Sequence, residues 1–414
     1  MIILIRKQFS MVIIFLAFIS FTPAAWAGGP QIVGETAALI DARTGQLLYG
    51  KDEHKRMYPA STTKALTALL ALERANIDDV VTIGPNPVNA GGTSMWFLEG
   101  EQLTLEELLY ALMMNSANDA GVAIAEHIAG SVENFAEISN QRAKEIGTGD
   151  THFTNPHGMP DKNHYSTAYD LALIGREAMK NVDLRKIVST IHHEVPRSDP
   201  EAQKYLFNHN KLLWSRIYGY KGATGLKTGY TVEAGQCIIA SAERDGRELI
   251  AVVLRTEGSN LWTDATNLLD YGFENFTNRR LVFGGNVMDN LPVKYGKDNV
   301  NLVAAEDFYY TFPKQGGGDV RVSVEPVKEV SAPVTKGKVL GTAVILNGQE
   351  ELGRVNLVAA ADVERDWFAL GKNFFLWTMP PLLIFLWVRR RVVLNRRRKK
   401  REARRRQYYS YGNE

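Results

Sequence analysis

Ser61 and Lys64 stand three residues apart in Pro59-Ala60-Ser61-Thr62-Thr63-Lys64, at the head of a helix-forming run that reaches Asn76. A hydroxyl is a poor nucleophile at its own pKa, and an uncharged amine one turn away on the same face could take its proton. The start of a helix also points backbone N–H groups at a developing oxyanion. Taken alone, this spacing is equally that of a helix cap followed by a solvated lysine. A second segment, Asn115-Ser116-Ala117-Asn118-Asp119, lies between two helix-forming stretches, where Ser and Asn could simply cap a helix. The third is Gly225-Leu226-Lys227-Thr228-Gly229-Tyr230. There Lys227 and Thr228 can offer a cation and a hydroxyl to a carboxylate, and Gly229 permits close backbone approach. The plain alternative is a turn entering a strand.

These segments must be held by regular elements. The pattern from Thr36 to Tyr49 predicts two strands around a turn. Helices are predicted over Lys64 to Asn76, from Thr104 to Met114 with Thr104 and Glu107 at capping-box spacing, from about Asn118 to Ala129, and after Thr167. Strands follow at Gln236 to Ser241 and Glu248 to Leu254, then a helix from Asp264 to Tyr271. Strands, then helices, then strands predict an α/β (α+β) domain with an antiparallel sheet over residues 28–276. Short alternating runs broken by Gly and Pro predict a small β-rich domain over residues 279–363.

What changes the odds for the three segments is their joint occurrence in this order, Ser-x-x-Lys on a helix, Ser-x-Asn between helices and Lys-Thr-Gly on a strand, the set found in serine β-lactamases and penicillin-binding proteins. The chain resembles the low-molecular-mass penicillin-binding proteins, the serine-type D-alanyl-D-alanine carboxypeptidases. The likeness covers about residues 33–275 and includes Gly91-Gly92-Thr93, Gly100 to Thr104, Ser116 to Ala120, Asn155 to Gly158 and His164 to Thr167. It implies a β-lactamase/transpeptidase-like domain followed by a small all-β domain and membrane attachment. It also implies that Ser61 is acylated with Lys64 as its base, that Ser116 relays protons, and that Asn118 holds the substrate amide. Lys227 and Thr228 would receive the terminal carboxylate, with the N–H groups of Ser61 and Tyr230 beside Gly229 as the oxyanion hole. The implied reaction is removal of the terminal D-Ala from peptidoglycan stem peptides, with β-lactams as inhibitors and no cofactor. One departure is that Thr256 to Asp270 lacks the basic residue that members of the family often carry after this strand, which leaves only Arg255 nearby.

The ends of the 414-residue chain carry a topological signal. Arg6 and Lys7, an apolar run from Met11 to Phe21 and the Ala25-Trp26-Ala27 site predict a cleaved signal peptide over residues 1–27. Trp367 to Val388 holds one charge, Lys372, and predicts a transmembrane helix. Residues 389–414 hold 12 basic and 2 acidic residues, which predicts a cytoplasmic tail, a single-pass cell-membrane protein and an extracytoplasmic catalytic domain. Residues 28–388 carry 34 basic and 44 acidic residues, so nucleic acid is not an expected partner. Cys237 is predicted to be a small core residue rather than a nucleophile. His152, His157 and His164 have spacings that do not stack ligands on one helical face, so no metal is expected. Three alternatives share the machinery or the context: a D,D-endopeptidase, a β-lactamase, for which Glu194 and Glu201 lack the Glu-x-x-x-Asn pattern, and a non-catalytic wall-associated scaffold.

Overall fold

Alternate residues of the central strands face two different cores. In the computed structural model, which describes residues 29–410, Ala38, Ile40, Ile239, Ile250 and Val252 pack on one side of the sheet. Ala37, Leu39, Ile238, Ala240, Leu249 and Val253 pack on the other. Such two-sided burial follows from helices covering both faces of a strand whose side chains alternate with period two. The elements are β1 (Thr36–Asp41), β2 (Leu47–Lys51), α1 (Lys64–Arg74), β3 (Val80–Thr82), α2 (Pro85–Val88), β4 (Gln102–Thr104), α3 (Leu105–Met114), α4 (Asn118–Ala129) and α5 (Val132–Ile146). There follow α6 (Ala168–Ala178), α7 (Val182–Ser189), β5 (His192–Glu194), β6 (Tyr205–Phe207), β7 (Ala223–Thr231), β8 (Gly235–Arg244), β9 (Arg247–Thr256) and α8 (Asn260–Asn275). The main sheet runs β2-β1-β9-β8-β7, antiparallel at every pairing. This leaves β7, the Lys-Thr-Gly strand, at an edge of the sheet.

The helix starts are locally encoded. Thr104 and Glu107 close a reciprocal capping box at α3, as their spacing predicts. At α6, Thr167 accepts from the Asp170 N–H, but the Asp170 carboxylate turns instead to Gly149, Asp150 and Thr151. It ties a preceding loop rather than the cap. Helices α5 and α7 were not anticipated from the sequence, and α8 extends beyond the expected Asp264–Tyr271 at both ends. Cys237 is fully buried, and burial pushes its thiol up to about 12.

The chain divides into two units between Glu274 and Asn275. The second contains β10 (Phe276–Val282), β11 (Val287–Leu291), β12 (Val293–Lys294), β13 (Val300–Ala304), β14 (Phe308–Pro313), β15 (Val320–Pro326), β16 (Val330–Ser331), β17 (Val339–Asn347) and β18 (Glu350–Ala359). A five-stranded sheet, β11-β13-β18-β17-β15, is joined by the pairs β10-β14 and β12-β16. Leu302, Ala343, Ile345 and Leu357 centre its core. Residues 367–388, expected to span a membrane, open the 44-residue helix α9 (Trp367–Ser410), which contains Pro380 and Pro381. Among the described residues no helix is long and apolar enough to cross a membrane. Gly371, Lys372, Asn373, Thr378 and the two prolines dilute the apolar residues of the segment. The expected signal peptide lies outside the described residues.

Candidate active site

Ser61 lies in a 3-10 turn, Ala60–Thr63, directly before α1. In a 3-10 turn residues i and i+3 eclipse, so the turn aligns Ser61 with Lys64 more closely than an α-helical start would. Lys64 is fully buried. Its Nζ lies 2.9 Å from Ser61 Oγ and donates to Asn118 Oδ1 at 2.7 Å and to the His157 carbonyl at 2.7 Å. The Asn118 amide is oriented by its own Nδ2, which donates to the Gly91 carbonyl at 2.9 Å, so its oxygen faces the lysine. Burial, with Lys227 as a second positive neighbour, holds Lys64 well below the usual lysine range. A neutral amine has two N–H bonds and one lone pair. Asn118 Oδ1 and the His157 carbonyl are pure acceptors and take the two N–H bonds. In the uncharged form the lone pair would face the Ser61 hydroxyl, 2.9 Å away, which is the geometry of a base beside its nucleophile.

The other partners reach this centre from separate elements. Asn118 is the first residue of α4, yet the helix N-cap is Ala117, which has no side-chain cap. The Ser116 and Asn118 side chains are therefore not spent as caps. Ser116 is buried and adopts φ 63, a backbone state that non-glycine residues hold only where surroundings impose it. Lys227 on β7 is also buried, and its Nζ donates to the Thr228 carbonyl at 2.8 Å. Desolvation pulls it down to about 7. Thr228 is half-buried and Tyr230 exposed. At Gly229 an added Cβ would stand 2.7 Å from the Ser61 nitrogen, so the absence of a side chain lets β7 pass directly beside the nucleophile turn. All eight residues singled out in the sequence lie on the 3-10 turn, α1, β7, the first residue of α4 or, for Ser116, the connection from α3 into α4. Hydrogen bonds join Lys64 to Ser61 and Asn118, and Gly229 lies against the turn that carries Ser61.

Several supporting residues had no assigned part in the sequence reading. The Thr154 N–H donates to His164 Nδ1 at 3.0 Å, so Nε2 carries the proton and donates to Thr63 Oγ1 at 2.9 Å. Thr63 in turn donates to the Ala60 carbonyl at 3.0 Å. This chain braces the residue before the nucleophile, and burial drives His164 down to about 3. Gly158 adopts φ 88, and a Cβ there would fall 1.8 Å from the Ala60 carbonyl oxygen. Thr67 Oγ1 donates to the Pro156 carbonyl at 2.6 Å. The segment 155–158 thus packs on the 3-10 turn while supplying the His157 carbonyl to Lys64. Asp119 accepts from the Met95 N–H at 2.9 Å and from Ser94 Oγ, and the Thr93 carbonyl accepts the Asn118 N–H at 2.7 Å.

A protein-family model described as peptidase S11, D-alanyl-D-alanine carboxypeptidase, matches residues 23–258. Another, the C-terminal domain of penicillin-binding protein 5, matches residues 276–365. D-alanyl-D-alanine carboxypeptidase DacF of Bacillus subtilis is 32% identical over 378 residues, covering 88% of this chain and 96% of the relative. The chain belongs to the D-alanyl-D-alanine carboxypeptidase family. Penicillin-binding protein 5 from Haemophilus influenzae aligns with a TM-score of 0.71 at 31% identity, over 82% of this chain and 100% of that one. The Streptomyces K15 DD-transpeptidase aligns with a TM-score of 0.55 at 31% identity, over 60% of this chain and 99% of its own. In this member of the family Arg255 pairs with Glu35 at 3.4 Å. Glu194 pairs with Lys204 and is exposed, and Glu201 lies exposed in the loop between β5 and β6.

Proposed function

We propose that this member of the family is a serine D-Ala-D-Ala carboxypeptidase, removing the terminal D-Ala from peptidoglycan stem pentapeptides through an acyl-enzyme on Ser61. The observation that carries this reading is the buried Lys64 Nζ, 2.9 Å from Ser61 Oγ, with Asn118 Oδ1 and the His157 carbonyl oxygen as its other partners. In the reaction Ser61 Oγ attacks the carbonyl carbon of the penultimate D-Ala as Lys64 takes the hydroxyl proton. The oxyanion is received by the N–H groups of Ser61 and Tyr230, a pairing supported by the close approach at Gly229. Collapse breaks the peptide bond, and the leaving amine of the terminal D-Ala takes a proton relayed through Ser116. Water then attacks the acyl ester as Lys64 takes its proton, the bond to Ser61 Oγ breaks, and the proton returns to Oγ. Lys227 and Thr228 receive the terminal carboxylate, and Asn118 the substrate amide. A burying environment strengthens the Lys227 contact once a carboxylate restores its charge. A β-lactam acylates Ser61 by the same attack.

We further propose attachment to the cell membrane through the apolar stretch of α9, with the catalytic unit on the extracytoplasmic side. Trp377, Leu383, Ile384 and Phe385 are each more than half exposed, and Arg389, Arg390 and Arg391 follow at once, a pairing suited to acyl chains beside anionic headgroups. Loss of membrane pelleting on deletion of residues 367–414 is the expected outcome; retained pelleting contradicts it. For the activity, the protein is incubated with a pentapeptide ending in D-Ala-D-Ala and, separately, with penicillin, and both products are read by intact mass. Released D-Ala together with a penicilloyl adduct absent from Ser61→Ala is expected. Fast penicillin turnover without D-Ala release would mark a β-lactamase instead.

A further inference from the structure

Trp96 is 71% exposed, yet its backbone sits at φ 58, a left-handed state that a bulky residue holds only when forced. A buried brace does the forcing. Arg197 and Glu101 pair at 2.8 Å with each side chain 1% exposed. The same guanidinium donates to the Met95 carbonyl at 2.9 Å and the Trp96 carbonyl at 3.1 Å. From the other side Ser94 Oγ accepts the Trp96 N–H at 3.0 Å and donates to Asp119. The strained residue is therefore locked to the segment that carries Asn118. Arg197 also donates to the Gln203 carbonyl at 2.8 Å, tying in the loop before β6, whose Tyr205 is 67% exposed. The Trp96 indole itself makes no ring, cation or hydrogen-bond contact among the described residues.

The braced turn anchors Met95 and Phe97 in the core on either side of Trp96 and leaves the indole alone without a partner among the described residues, presented outward to a ligand. We propose that Trp96 is a carbohydrate-stacking platform, on which an N-acetylated amino sugar of the glycan lies while the attached stem peptide enters beside Ser61. A pyranose ring offers one face of C–H groups to the electron-rich indole face, and the indole N–H can donate to a hydroxyl or acetamido oxygen. The stem is covalently joined to such sugars, so continuity from Asn118 to Trp96 follows the substrate from peptide to glycan. This inference rests on the carboxypeptidase reading.

The test compares kcat/KM for D-Ala release from a free stem pentapeptide and from the same pentapeptide on its N-acetylglucosaminyl-N-acetylmuramyl disaccharide. In the wild type the disaccharide substrate is favoured, and Trp96→Ala lowers that preference about tenfold, the scale of one aromatic stacking contact. Trp96→Phe retains part of it, since the ring face survives without the N–H. Because the preference is a ratio within one protein, partial loss of folded enzyme cancels; if Trp96→Ala fails to fold, the ratio in Trp96→Phe decides. An unchanged preference, or equal losses on both substrates as a contact to the stem would give, overturns the glycan platform and leaves the carboxypeptidase standing. A wild type that releases D-Ala from neither substrate overturns both readings.

Discussion

Lysines in the two units of the molecule live under opposite rules. In the catalytic unit Lys64 and Lys227 are buried, contact oxygens of a hydroxyl, an amide and the backbone, and are both driven below the usual lysine range by desolvation. In the β-rich unit Lys294 and Lys297 are exposed, pair with Glu329 and Glu364 at 2.8 and 2.5 Å, and are raised by those carboxylates. Burial without a countercharge makes a base, whereas exposure with one makes a surface ion pair of little consequence. The contrast extends to polar side chains in general. Among the described residues Thr311 is the one buried polar or charged side chain after Glu274, while the first unit buries Lys64, Asn118, Asp119, His164 and Lys227. Interior polar groups are costly unless satisfied. Their concentration in one unit is where the chemistry is to be sought.

The sharpest way to break this comparison is to restore charge at the buried amine. Lys64→Ala and Lys64→Arg are both expected to lower penicillin acylation by about a thousandfold or more, because alanine removes the base and arginine cannot give up its proton. Labelled-penicillin kinetics measure this, and ordinary acylation by Lys64→Arg would remove the neutral-base assignment. In the β-rich unit the equivalent blow falls on packing. Leu302→Ala should cost ~2–5 kcal/mol in that unit's unfolding transition, read by calorimetry, with acylation of Ser61 unchanged.

Next in size is Gly158→Ala, which places a methyl against the Ala60 carbonyl at an unfavourable φ and should destabilise by ~1–3 kcal/mol while slowing acylation. Retained acylation at full stability would show that the 155–158 segment does not set the nucleophile turn. The pH profile then tests Lys227. In the free enzyme it is expected to lose its charge above about 7, so kcat/KM for a carboxylate-bearing peptide should fall about tenfold per pH unit beyond that point. Lys227→Arg should move this limb to higher pH. The stability effect has the opposite direction. Between about 7 and about 10 an unfolded lysine holds a proton that folded Lys227 has released, so stability rises with pH across that window. Lys227→Met should flatten the rise in melting temperature. The smallest effect belongs to Lys297→Ala, which should leave melting temperature and activity alike where they were.

Much of the architecture was legible because the relevant signals are local. Thr104 with Glu107, the alternation along Glu248 to Leu254, and the apolar spacing of Lys64 to Asn76 each act within one or two turns or along one strand. Helix α5 escaped because Val132–Ile146 is largely polar, with Phe135, Ala136 and Ala143 as its few buried apolar side chains. The expected membrane span rests on local composition in the same way, and among the described residues no helix is long and apolar enough to cross a membrane. At the site, the three motifs named the chemical groups through residue type and spacing. His164 was legible as a histidine and not as a brace, because Thr63, the partner it supports, lies 101 residues away along the chain.

The sequence by itself determined the inventory: a hydroxyl and an amine one turn apart, a Ser-x-Asn segment, a Lys-Thr-Gly strand, and the elements that carry them. Those depend on covalent order and on short-range backbone preference. Only the tertiary structure decided that Lys64 is driven below the usual lysine range, because that depends on burial by distant segments, and that its amine meets two carbonyl oxygens, from Asn118 and His157. It likewise decided that Gly229 touches the Ser61 turn, that Ser116 is held at a positive φ, and that a buried Arg197–Glu101 pair presents Trp96 to solvent. Desolvation and close approach are properties of three-dimensional neighbours, and chain spacing alone does not specify them.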